Sequence, residues 1–66
     1  MMFVKLTDAI TNKIIIVRKD LISIVSTDKH TVNGKTEDVT YIAFLNNLPV
    51  EYVKESISEV YRLIAD

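Results

Sequence analysis

The chain has 66 residues, no cysteine and one histidine, His30, so a disulfide, a thiolate metal site and a poly-histidine metal site within one copy are all excluded. Eight Lys and Arg stand against nine Asp and Glu, a net charge of −1, which argues against a nucleic-acid binder held mainly by phosphate contacts. Apolar residues make up 48% of the chain, a high share for a domain that buries only about 60% of its unfolded surface.

Residues 2–7 read as a strand, with Phe3, Lys5 and Thr7 on one side and Met2, Val4 and Leu6 on the other. Residues 8–12 are turn-like, and residues 13–17 form a second strand. Its run Ile14-Ile15-Ile16-Val17 has strong strand preference but no alternation, because both faces are apolar. Arg18-Lys19-Asp20 is a polar break before a third strand over residues 21–27. The polar stretch 28–38 contains Asn33-Gly34, a strong hairpin signal, since a type I′ turn needs positive φ at both central residues. Residues 39–45 form a fourth strand. Asn46-Asn47 offers a second tight turn, and residues 48–53 a short fifth strand that Pro49 confines to an edge near its start.

A two-residue turn at Asn33-Gly34 sets a register. It places Val32 opposite Lys35, Thr31 opposite Thr36, His30 opposite Glu37 and Lys29 opposite Asp38. Continued, the same register puts Val25 opposite Ile42, Ile24 opposite Ala43 and Ile22 opposite Leu45. The expectation is a long hairpin with a charged tip that projects from the body.

Ser56-Ile57-Ser58-Glu59 has the form of a capping box. The Ser56 hydroxyl can accept from the Glu59 amide, and the Glu59 carboxylate can reach back to the Ser56 amide. Ile57, Val60, Tyr61 and Ile64 follow at helical spacing as an apolar stripe. The helix is too short to stand alone in water and must be held by packing. The fold expected is a single α+β domain over residues 1–66: a curved antiparallel sheet of about five strands, meander or half-barrel, closed by one C-terminal helix.

One short helix shelters one face of such a sheet, yet three of the strands are apolar on both faces. An uncovered face would be an apolar patch of the kind that marks a partner surface. The expectation is therefore a homo-oligomer, with Ile15, Val17, Ile42 and Phe44 as the candidate interface.

Signals for catalysis are missing. His30 sits among charged neighbours at the hairpin tip, and the acid pairs Glu37/Asp38 and Glu55/Glu59 fall on that tip and at the helix start, where acids suit the helix dipole. A Gly-rich phosphate cradle is absent. The chain reads as non-enzymatic, with no cofactor and no metal ligands. Lys13, Arg18 and Lys19 flank the second strand as solubilising gatekeepers. Together with Lys54 they are also the candidate contacts for a small anionic ligand such as a nucleotide, held at a subunit interface, which is the alternative reading. Apolar runs such as Ile14–Val17 and Ile42–Leu45 are far below the roughly 20 residues of a membrane span. Lys5 and Asp8 interrupt the start, so an export signal is not expected; with no cysteine, a cytoplasmic location is.

Three stretches together resemble a known family: Lys5-Leu6-Thr7, the segment from Val17 through Leu21-Ile22-Ser23-Ile24, and Val53-Lys54-Glu55-Ser56-Ile57-Ser58-Glu59-Val60. They are similar to the small bacterial flagellar and swarming-motility proteins of the FlbD type, and to short proteins of phages and prophages. In that family the first strand usually turns with Asn-Gly, whereas residues 8–12 here are longer and lack Gly. The resemblance implies a small non-enzymatic regulatory or accessory protein of bacterial or phage origin. It transfers no binding residue, because the matching positions are structural.

Overall fold

A computed structural model describes residues 2–65, with Val32 described by its backbone alone. In chain order the elements are β1 (Phe3–Thr7), β2 (Ile14–Arg18), a 3-10 turn (Lys19–Leu21), β3 (Ile22–Val32), β4 (Lys35–Phe44), β5 (Glu51–Val53) and α1 (Ile57–Ala65). The small α+β class is as expected, but the strands form two antiparallel sheets, β1-β2 and β3-β4-β5, in place of one continuous curved sheet.

The division has a local cause. The Asp8 carboxylate accepts the amides of Ile10 and Thr11 at 2.8 and 2.9 Å, which ends β1 in a side-chain-capped turn. At the other side, Asn46 and Asn47 both take positive φ, and Pro49 has no amide to donate, so β5 is only three residues long. What remains between the sheets is one bridge, Asp8 to Val53. Two further bonds flank it: the Ala9 amide donates to the Tyr52 carbonyl at 2.8 Å, and the Lys54 amide to that of Thr7 at 2.9 Å.

The hairpin register is as expected from Val32–Lys35 down to Ile24–Ala43, and β3 and β4 carry the ladder to the tip. Asn33 (φ 54°) and Gly34 (φ 77°) occupy the left-handed region that such a turn requires. Beyond Ile24 the register shifts. Ile22 pairs with Phe44 and not with Leu45, because Ser23 is an extra residue in β3, a β-bulge.

Side-chain alternation then sorts the strands. Val4 and Leu6 of β1, Val17 of β2, Ile42 of β4, Val53 of β5 and Val60 of α1 form the core, with Ile15, Ile22, Val25, Phe44, Leu63 and Ile64 packed partly against it. Val39 is buried outside that cluster, on the other face of β4. That face also carries Tyr41, Tyr52 and His30: the Tyr52 ring meets Tyr41 edge-on at 5.7 Å and stacks on His30 at 6.0 Å.

The segment before the helix is tied down by hydrogen bonds. Thr7 donates through its amide (2.9 Å) and its hydroxyl (3.0 Å) to the Glu55 carboxylate, and the buried Thr40 hydroxyl donates to the Glu55 carbonyl. Only half of the expected capping box forms. The Glu59 amide donates to the Ser56 hydroxyl at 3.2 Å, but the Glu59 carboxylate turns to Arg62, at 2.6 and 3.1 Å. The buried stripe is also rotated from the expected one. Val60, Leu63 and Ile64 face the core, whereas Ile57 and Tyr61 are exposed, because Leu63 takes the inward place.

Candidate interaction surface

Four of the expected interface residues belong to the chain's own interior. Ile42 is 0% exposed and Val17 is buried beside it, while Ile15 and Phe44 pack partly on the same core. The apolar excess lies on the other face. In β1-β2, Phe3 opposes Arg18, Lys5 opposes Ile16 and Thr7 opposes Ile14, and these pairs point away from the core. Ile14 is 71% exposed, Ile16 58% and Phe3 51%. The sequence signal for this was present in the run of four β-branched residues. It could not be resolved into an inner and an outer set, because every residue in the run is apolar.

β2 pairs only with β1, so its far edge is open. The phase of that edge follows from two bonds at the strand's ends. The Asp8 amide donates to the Lys13 carbonyl at 2.8 Å, and the Lys19 amide donates to the Met2 carbonyl at 2.8 Å. Residues 13 and 19 therefore turn their backbone groups toward β1, and by alternation Ile15 and Val17 do too. The N–H and C=O groups of Ile14, Ile16 and Arg18 point to the open side.

A groove of about 430 Å³ runs along this edge. Its near wall is four consecutive β2 residues, Ile15 to Arg18, which includes both inward and outward side chains, so it follows the strand's edge. Leu21, Phe44, Leu48 and Pro49 form most of the far wall. A smaller apolar hollow lies between α1 and β3, lined by Val25, Ile57, Tyr61 and Ile64.

The candidate anion contacts are not brought together. Lys13 and Arg18 sit at opposite ends of β2, roughly 17 Å apart at the usual strand rise. Arg18 forms a two-point pair with Asp20, at 2.7 and 3.1 Å. That pair, through its hydrogen bonds first, raises the guanidinium's pKa and lowers the Asp20 carboxyl's. Lys19 opens the 3-10 turn. Lys54 lies elsewhere, in a hollow it shares with His30 and Glu37 and with none of the other three candidates.

His30 opposes Glu37 across the hairpin, as expected, and rests on Tyr52. Lys29 pairs with Asp38 at 2.6 Å on the exposed tip, and this bond raises the Lys29 pKa. Among the described residues no group of His, Asp and Glu is placed to hold a metal ion, and no helix is long and apolar enough to cross a membrane. Comparison with protein-family models, with curated proteins and with solved structures found no match.

Proposed function

We propose that this chain is a non-enzymatic, self-associating interaction module, a cytoplasmic accessory or regulatory protein of bacterial or phage type. The observation that carries this reading is the exposed apolar face of β1-β2, with Phe3, Ile14 and Ile16 beside an unpaired strand edge and an apolar groove. Water-exposed apolar side chains gathered at one place favour association over solvation. The likeness of Lys5-Leu6-Thr7 and of the Val53–Val60 stretch to FlbD-type proteins belongs to the same proposal and supports a regulatory role.

Size-exclusion chromatography coupled to light scattering tests it. A dimer or larger species is expected at tens of micromolar chain (roughly the range in which a weak homodimer persists). A monomer throughout that range refutes the reading.

A further inference from the structure

We infer that a second copy of the chain docks on the open edge of β2, strand β2 against strand β2, antiparallel, about a twofold axis at Ile16. The inference rests on the self-association proposed above and specifies its geometry.

A twofold axis that joins two strands side by side must stand perpendicular to the sheet, so each side chain keeps its face. Residue i then meets residue j with an even sum. The open groups belong to Ile14, Ile16 and Arg18, and only a register that sets these against one another forms hydrogen bonds. With Ile16 on the axis, Ile16 meets its own copy and Ile14 meets Arg18 of the other chain. All three residues of each copy then pair, and the five residues of β2 are matched end to end.

The side chains agree with that register. On the outer face Ile16 meets Ile16, and on the inner face Ile15 meets Val17, so apolar meets apolar at the centre. The groove along this edge is lined mainly by apolar residues, with Arg18 and Glu51 as its charged ones, which suits a strand that is apolar on both faces. β2 is itself such a strand, with four consecutive apolar residues. Just beyond the pairing, Lys13 falls opposite Lys19, and like charges there stop the ladder from extending. A standard interface removes about 800 Å² from each partner, more than five strand residues supply alone. Leu48 and Pro49 on the groove's far wall extend the contact.

The longest strand edge, that of β3, runs eleven residues but is defended. The bulge at Ser23 breaks its ladder, and Asp28 and Lys29 place charge along it. A twofold contact uses the same β2 edge on both copies, so association through it closes at the dimer and does not grow into a fibre.

Cysteine cross-linking and one charge substitution test the geometry. The chain has no cysteine, so a single introduced one reports alone. On the axis, paired Cα atoms lie about 5.5 Å apart, inside disulfide range. Under mild oxidation Ile16→Cys should give a covalent dimer in high yield. Ile14→Cys should not, because Ile14 and its copy stand roughly 14 Å apart in this register. Ile16→Lys sets two ammonium groups against each other on an exposed face, so it should leave the monomer's circular dichroism unchanged and weaken the dimer at least tenfold. Tyr61→Lys, on the exposed side of α1, should leave the dimer constant unchanged. A dimer indifferent to Ile16→Lys, or one cross-linked by Ile14→Cys and not by Ile16→Cys, overturns this geometry and leaves self-association standing. A chain that is monomeric at every concentration overturns both.

Discussion

Two alanine substitutions in side chains of the same type separate the inner face of the strands from the outer. Ile42 is fully buried on β4, opposed by Val25 on β3 and by Glu51 on β5, and it belongs to the core cluster with Val60 of the helix. Truncating it removes three carbons from a packed interior, and Ile→Ala changes at such sites cost about 2–5 kcal/mol. At about 0.05–0.15 kcal/mol per residue, a chain of this size has roughly 3–10 kcal/mol in total. Ile42→Ala therefore uses up a large part of the stability, and where the total is about 3 kcal/mol it leaves much of the chain unfolded. Ile14, 71% exposed on β2, has the same side chain and the same strand preference. Its truncation should change monomer stability by no more than about 0.5 kcal/mol. The assay is urea unfolding followed by far-ultraviolet circular dichroism, at one low chain concentration so that mass action from association is held fixed. Equal slopes with respect to urea confirm that the same surface is exposed in each variant. If Ile14→Ala destabilises as strongly as Ile42→Ala, the assignment of faces on β2 is wrong, and the exposed patch with it.

Ser56→Ala removes the side-chain cap at the start of α1 and should cost about 1 kcal/mol in the same assay. Glu59→Gln keeps that cap, because the Glu59 carboxylate serves Arg62 and not Ser56, so it should lower the melting temperature less than Ser56→Ala does. Thr40→Val conserves shape but leaves the Glu55 carbonyl without its buried donor, at a cost of about 1–3 kcal/mol; a neutral result would mean that water reaches the site. The carboxyls of Asp8, Asp20 and Glu59 are all held below their ordinary pKa by hydrogen bonds, from the Thr11 and Ile10 amides, from Arg18 and from Arg62 respectively. A depressed folded-state pKa gives stability that is complete above the ordinary carboxylate range and lost as pH falls through the folded value. Stability should thus decline between about pH 5 and pH 2. Asp8→Asn, which cannot titrate, should show a shallower decline than the parent chain; identical profiles would remove Asp8 from the account.

Much of the backbone was legible in the residues themselves. Asn33-Gly34 admits positive φ at two adjacent positions, and that local fact set the hairpin register over nine pairs, down to Ile24 against Ala43. The stretch 8–12 read as a turn and Ser56 as a helix start, and in both a side chain, that of Asp8 or of Ser56, bonds its own neighbours. Such signals act over two to four residues, so the chain alone carries them.

Three features were decided only when the chain came together in space. The extra residue at Ser23 shifted the end of the hairpin, because strand twist and packing, rather than any turn residue, place a bulge. Local turns ended β1 and shortened β5, but that their ends meet in space, in one bridge between two sheets, was set by packing. The helix turned Leu63 inward and Tyr61 outward, since its direction over the sheet set the buried stripe. The same cause decided the candidate surface. In Ile14-Ile15-Ile16-Val17 every side chain is apolar, so composition is silent about which alternate pair is buried, and the pairing with Val4 and Leu6 across β1 settles it.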